Sequence, residues 1–214
     1  MRPSNHPLLH APGQVTAKLR ALPWVARNMV MDLRYGAILS GTIKTRHRGA
    51  SNVANSQYSV LPPIFEGRIG PDDVLVDVGC GKGRVINWWL SQGLRNRIVG
   101  IELEPEVASA TAKRLSRFPN VTVVNEDATE WLPDDATIVY MYSPFSRDVM
   151  ARFKEHVARR FAGKGLTMLY LNPAFVDVFE DDPRFATEVN ELPILDPRIE
   201  GRQRRLAVVR LAPA

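Results

Sequence analysis

The stretch VLVDVGCGKGRVINWWL, residues 74–90, decides the fold. An apolar run leads into three glycines on alternate positions, Gly79, Gly81 and Gly83, and an apolar segment of helix length follows at once. That order predicts a buried strand, a tight turn and a helix. Such a turn needs permissive dihedrals, and a ligand lying against the backbone needs side chains to be absent. The ligand would sit beyond the carboxyl end of the strand, in the crevice of a doubly wound sheet. Dinucleotide loops favour Gly-x-Gly-x-x-Gly, with a pyrophosphate on the helix N-terminus. Here the third glycine comes one residue early, and Asp77 precedes the first by two. A carboxylate pointing into the loop repels a pyrophosphate and attracts a cationic amine. No Gly-Lys-Ser/Thr sequence follows, which excludes the phosphate-cradling loop of nucleotide hydrolases.

Outward from this loop, apolar runs alternate with amphipathic stretches. Strands are expected at 74–78, 98–103, 121–124, 137–142 and 166–171, and helices at 83–92, 104–117 and 147–161, with a short one near 174–180. Short buried strands alternating with helices imply a parallel sheet covered on both faces. The tail differs: two extended runs, 185–195 and 204–211, flank a turn-rich segment and predict a hairpin at the sheet edge. Before the loop, residues 1–13 carry Pro3, Pro7 and Pro12 without periodicity and are expected to form a tail. From 15 to about 39, Leu19, Leu22, Val25, Met29 and Leu33 recur at helical spacing, with a break or kink expected at Pro23. Residues 40–56 are expected to form a loop or lid, and 58–69 a short helix. The division is therefore 1–57, a basic tail, helix and lid, and 58–214, the α/β domain.

The 214 residues, 45% hydrophobic and 24% charged, have the composition of an ordinary globular protein, which excludes collagen-like and wholly disordered classes. A single cysteine, Cys80, forms no internal bridge, and the opening residues lack a secretory pattern. The most apolar early stretch contains Arg27, Asp32 and Arg34 and is a poor spanning helix, so the expectation is a cytoplasmic protein with no membrane partner. Residues 1–50 hold eight basic side chains against the one acid Asp32, a net of +7, so the overall charge of +5 belongs to the extension and leaves −2 elsewhere. His6, His10, His47 and His156 have no ligand spacing, and no metal is expected.

Asp77 and the glycines after it resemble the first motif of the class I S-adenosylmethionine-dependent methyltransferases, an acid followed by Gly-x-Gly-x-Gly. The resemblance spans about 74–211. It implies an α/β, doubly wound, mostly parallel seven-stranded sheet with an antiparallel C-terminal hairpin strand, here with an N-terminal helical extension, and S-adenosylmethionine as cofactor. Glu102 closes the second strand, 19 residues past Gly83, where a carboxylate can accept hydrogen bonds from both ribose hydroxyls; the resemblance assigns it that role. Asp127, followed by Ala128, is similar to the family's acid that accepts from the adenine amine. Asp77, Gly79, Cys80, Gly81, Gly83, Glu102, Asp127 and Ala128 form the expected cofactor site. Taken singly, Asp77 and Glu102 are also readable as caps and Asp127 as a turn former, and Cys80 reads first as a packing residue. Lys82 and Arg84 are expected to face solvent or a lid.

Ser143-Pro144-Phe145 resembles the Asn/Asp/Ser-Pro-Pro-aromatic loop with which nitrogen methyltransferases hold the acceptor amine, although the second proline is absent. The resemblance gives Ser143 and the backbone held by Pro144 the hydrogen bonds to the amine, and Phe145 the developing charge. The other reading is a loop capped by Ser143. Tyr58 is expected either to reach the cofactor or substrate amine or to be a core tyrosine. Asn172-Pro173 reads first as a chain stop and turn, and otherwise as a lining of the substrate side. More narrowly, residues 57–58, DVGCGKGRV, GIELEPE and Tyr170 to Pro173 are similar to small methyltransferases related to the protein-lysine methylating type. The expected acceptor is a nitrogen of a protein lysine or a small molecule, with an RNA base less favoured. The competing class is a catalytically inactive nucleic-acid-binding module using the basic extension; a nicotinamide oxidoreductase is disfavoured by the loop.

Overall fold

The computed structural model describes residues 12–41, 56–199 and 204–212, and side chains from residue 21 onward within them. The tail up to residue 11 and most of the expected lid, 42–55, lie outside the described residues.

Five parallel strands form where the apolar runs lie: β1 (Leu75–Val78), β2 (Ile98–Ile101), β3 (Val121–Val124), β4 (Ile138–Tyr142) and β5 (Leu166–Leu171). β6 (Phe185–Glu191) and β7 (Arg205–Leu211) complete a seven-stranded sheet of order β3-β2-β1-β4-β5-β7-β6. From β1 the chain winds outward through β2 and β3, then returns to place β4 on the other side. The crevice of such a sheet opens at that reversal, beyond the carboxyl ends of β1 and β4.

Successive residues of a strand feed opposite faces. Leu75 belongs to a core with Tyr58, Leu61, Ile64, Phe65, Trp88 and Trp89. Val76 and Val78 join Phe153, Val157 and Phe161 beneath the other face. The first face is covered by α2 (Leu61–Phe65) and α3 (Arg84–Ser91), and the second by α5 (Arg147–Arg160), while α4 (Pro105–Leu115) packs beside β3. A short α6 (Asp177–Glu180) precedes β6.

The expected C-terminal hairpin is present, with its strands ordered by burial. β7 pairs antiparallel with β5 and takes the inner position, because Leu206 to Val209 are buried on both faces, whereas β6 alternates and forms the edge. The connecting segment returns over the first core through Leu192, Ile194 and Ile199. Ser59 Oγ donates to Asp196 at 2.7 Å, and the Arg204 guanidinium binds the carbonyls of Ile194 and Ile199.

The N-terminal helix departs from expectation in three ways. α1 (Pro12–Arg34) is not broken at Pro23, which sits at an exposed position. It stops at Arg34 rather than near Leu39, because Gly36 takes a left-handed φ of 91° and its N–H closes on Leu33 O. Its apolar stripe also points outward: Leu22, Val25, Met29 and Leu33 are exposed, while Asn28, Asp32 and Tyr35 face inward. The cause is a polar seat. Arg84, expected to face solvent or a lid, is only 5% exposed and grips Asp32 through two bonds, Nε to Oδ1 at 3.1 Å and Nη2 to Oδ2 at 2.6 Å. Leu39 N–H and the Tyr58 hydroxyl also donate to that carboxylate, at 3.1 and 3.0 Å, so the buried pair has its lone pairs filled.

Candidate active site

The carboxyl ends of the first three strands lie level, since Val78 pairs with Ile101 and Ile101 with Val124. Gly79 and Cys80 both donate their N–H to Ile101 O at 2.9 Å, which turns the loop back over β2. Gly79, Gly81 and Gly83 all have left-handed φ, 71°, 52° and 74°, so side chains at these positions would strain the turn.

Asp77 hangs beneath this loop. It is 3% exposed, and its Oδ2 has no hydrogen-bond partner among the described residues. Burial, and then the charge of Glu102, push its pKa up to about 8. Such a carboxylate is an incomplete arrangement that a cationic or hydrogen-donating ligand would complete. Tyr140 is in register with Asp77 on β4, and its hydroxyl shares a 2.9 Å bond with Ser56 Oγ, both groups being buried.

Glu102 is buried just past β2. Its Oε2 accepts from Gly81 N–H at 2.8 Å and its Oε1 from Glu104 N–H at 2.9 Å. Burial raises its pKa, and those backbone donors oppose the rise. Each carboxylate oxygen has a second acceptor site to offer. Asp127, half-buried, uses Oδ1 to accept from Thr129 N–H at 2.8 Å, which caps the turn after β3. Ala128 packs into the second core near Val99 and Ile101. Asn125 joins the two acid-bearing loops, donating from Nδ2 to the carbonyls of Glu102 and Leu103, each at 2.9 Å. Cys80 lies against Gly100: a Cβ on that glycine would meet its Sγ at 2.9 Å. Burial and the neighbouring carboxylates hold its thiol pKa well above normal, so it packs rather than attacks.

On the other side of the crevice, Ser143 has a left-handed φ of 41°, and its Oγ donates to Asn172 O at 2.6 Å. Asn172, at the end of β5, is left-handed as well, with φ 53°, and its carbonyl also accepts from Ala174 N–H at 2.7 Å. Non-glycine residues in this region are uncommon, and two facing each other at adjacent strand ends mark a constrained site. Pro144 abuts the glycine loop, its Cβ lying 3.4 Å from where a Cβ on Gly79 would stand. The residue that opens α5 is Ser146, so Ser143 is not its cap. Phe145 packs on Phe153, ring centroids 5.3 Å apart.

Tyr58 stands in the first core. Its hydroxyl donates to Asp32, accepts from Asn87 Nδ2 at 3.2 Å, and its ring lies under the Arg84 guanidinium. Burial raises its pKa. Lys82 Nζ donates to Ser40 O at 2.9 Å, and Arg114 binds the carbonyls of Lys82 and Tyr35 at 2.6 and 2.7 Å. The extension is thereby fastened to the glycine loop by Asp32, Lys82, Arg84 and Arg114. Asp32 had one visible signal, being the sole acid in a basic segment; Asn125, Ser56 and Arg114 had none.

Residues 75–169 match the family described as methyltransferase domain. Over 65 residues the chain is 34% identical to a probable cobalt-precorrin-6B C(15)-methyltransferase (decarboxylating) of Archaeoglobus fulgidus, covering 30% of this chain and 37% of that protein. The chain thus spans little more than a third of that relative. Among solved structures, the glycopeptide N-methyltransferase MtfA complexed with S-adenosyl-L-homocysteine superposes with a TM-score of 0.57 at 14% identity, covering 81% of this chain and 100% of that one. The precorrin-6y C5,15-methyltransferase of Geobacter metallireducens gives 0.52 at 19% identity, covering 76% and 90%. These likenesses agree with the strand order and the glycine loop: residues 75–169 match a methyltransferase domain, and the seven-stranded sheet has the fold of these solved methyltransferases.

Proposed function

We propose that this protein transfers a methyl group from S-adenosylmethionine to a nitrogen nucleophile of a protein lysine or a small molecule. The observation that carries the reading is the buried Asp77 carboxylate beneath a glycine loop, with an oxygen unpartnered among the described residues. When bound, S-adenosylmethionine supplies an electrophilic methyl on a sulfonium. Asp77 accepts a hydrogen bond from the cofactor's amino group, and the side-chain-free backbone of Gly79 and Gly81 lets the ligand lie close. Glu102 offers its remaining acceptor sites to the ribose hydroxyls, and Asp127 its carboxylate to the adenine amine, with Ala128 at the base of that site.

On the acceptor side, Ser143, held by the bond of its Oγ to Asn172 O, is the residue that meets the incoming amine. Pro144 fixes the backbone beside Gly79, and Phe145 closes the loop onto the second core. Rate enhancement of this kind comes mainly from holding nucleophile and methyl in line in a site closed to water. Tyr58, bonded to Asp32 and Asn87, supports the site by anchoring the extension. An inactive nucleic-acid-binding module leaves the orphaned Asp77 oxygen without a purpose, and is the weaker reading.

Calorimetry with S-adenosylhomocysteine tests the proposal. One-to-one binding is expected, much weakened in Asp77→Ala and Glu102→Ala with the far-ultraviolet circular dichroism unchanged. Preferential binding of NADH, or no nucleoside binding by the wild-type chain, would end it. A methyl-transfer screen of cell extract, with protease or nuclease treatment, then identifies the acceptor class.

A further inference from the structure

Val25, Asn28, Met29 and Asp32 are spaced by three and four along α1, so they share one of its faces, and that face walls a cavity of about 250 Å³. Gln57, Arg84 and Arg198 line the cavity opposite, Arg198 reaching it from the segment between β6 and β7. An apolar cavity of about 150 Å³ takes a benzene ring, so this one has room for about ten non-hydrogen atoms. Val25, Met29 and the buried Leu39 give it an apolar wall. On its polar side the acids are full and a cation is not. Asp32 takes four donors, and so does Asp196 behind Arg198: the Ser59 hydroxyl at 2.7 Å, the Arg198 N–H at 3.0 Å, and Arg198 Nε and Nη2 at 2.9 and 2.6 Å. A carboxylate has about four acceptor sites, so neither acid has room for another donor. Arg198, whose side chain is 25% exposed, spends no Nη1 hydrogen on any described residue. Gln57 accepts from Asn28 Nδ2 through Oε1 and keeps its Nε2 hydrogens, leaving Asn28 Oδ1 as a neutral acceptor. An unspent guanidinium beside spent carboxylates, over an apolar wall, selects an occupant with an anionic acceptor at one end and hydrocarbon behind it.

The cavity borders the crevice. Arg84 Nη1 donates to Ser56 O at 3.4 Å, and Ser56 Oγ shares a bond with the hydroxyl of Tyr140, the strand partner of Asp77. Ser56 and Tyr140 thus form a wall between the two. We propose that this cavity seats a small methyl acceptor by a carboxylate. The carboxylate binds Arg198 Nη1 and Gln57 Nε2, the hydrocarbon lies against Val25, Met29 and Leu39, and the nucleophilic nitrogen turns to the crevice. Of the two acceptor classes proposed above, this favours the small molecule. The acceptor role rests on the methyl-transfer reading; the carboxylate site does not.

Saturation-transfer magnetic resonance of the full chain with hexanoate, and with hexanamide as its uncharged equivalent, tests it. Hexanoate should bind at least about tenfold more tightly than hexanamide, and at least about tenfold more weakly in Arg198→Gln and in Met29→Trp, which fills the cavity from an exposed position. It should stay bound when S-adenosylhomocysteine saturates the protein, as an acceptor must. Met29→Trp should keep the wild-type melting temperature and S-adenosylhomocysteine affinity. Arg198→Gln withdraws donors from the buried Asp196, so Met29→Trp decides if that variant does not fold. Three results overturn the proposal: equal binding of the two probes, a Met29→Trp variant that binds hexanoate as the wild type does, or displacement of hexanoate by S-adenosylhomocysteine, which would put the probe in the cofactor's seat. Failure of S-adenosylhomocysteine to bind at all would overturn the methyl-transfer reading and the acceptor role with it, whereas the carboxylate site is judged on hexanoate alone.

Discussion

Asp32 and Asp77 are both buried, and they live in opposite circumstances. The carboxylate of Asp32, in the extension, receives four donors: two from Arg84 and one each from Tyr58 and Leu39 N–H. That of Asp77, beneath the glycine loop, has an oxygen with no partner among the described residues and a like charge nearby in Glu102. A folded chain satisfies its buried acids where they serve the fold. A buried acid left unsatisfied is a place where the missing partner comes from outside. The first region holds itself together; the second, on the proposed function, is completed by a ligand.

Removing each acid should therefore give opposite results. Asp32→Ala strands a buried guanidinium and the Tyr58 hydroxyl, and should cost about 3–5 kcal/mol of stability. Urea denaturation followed by circular dichroism measures it, and a loss below about 1 kcal/mol would show that α1 does not depend on this pair. Asp77→Asn should leave stability unchanged or improve it near pH 8, because it removes a charge that burial disfavours. The same substitution should weaken S-adenosylhomocysteine binding by about tenfold to a hundredfold, the worth of one hydrogen bond to a charged group.

The contrast also sets a pH dependence. Asp77 has a folded pKa of about 8, above its unfolded value near 4, so between these limits the native state binds more protons than the unfolded one. Stability should fall as pH rises through that window, and the fall should be smaller in Asp77→Asn. Contact with a ligand's ammonium group favours the ionised carboxylate, so affinity for S-adenosylhomocysteine should increase from pH 6 to pH 8, by at most about tenfold per unit, with proton release. Calorimetry in buffers of different ionisation enthalpy reads that release directly. Equal heats in all buffers would mean that Asp77 is already ionised in the free protein.

The sheet was legible because its parallel strands, the edge strand β3 excepted, are largely buried on both faces and so appear as short apolar runs. The extension was not. Its periodicity marked a helix correctly, but which stripe faces inward depends on what it packs against, and Arg84 lies 52 residues from Asp32. No local pattern announces that a helix will bury Asn28 and Asp32 and expose Leu22 and Leu33. The same holds for Ser56 and Tyr140, paired across 84 residues, and for the Ser143 bond to Asn172, made by two strand ends that only the sheet brings together.

That last pair offers the finest discrimination. Ser143 and Asn172 both hold left-handed backbone, a conformation that glycine adopts without strain. Asn172→Gly keeps the conformation and the carbonyl that Ser143 binds while deleting the carboxamide. It should leave thermal stability within about 1 kcal/mol of wild type. Ser143→Ala removes the hydroxyl and its bond to Asn172 O, and should cost about 1 kcal/mol of stability. If Ser143 meets the acceptor, turnover in Ser143→Ala should fall further than this loss of stability accounts for, with S-adenosylhomocysteine affinity nearly unchanged. If instead the carboxamide of Asn172 is the group facing the acceptor, the glycine variant should be stable yet slow. Two stable variants with wild-type turnover would make this corner of the crevice a brace for the loop, leaving Asp77 as the only part of the comparison that speaks to a ligand.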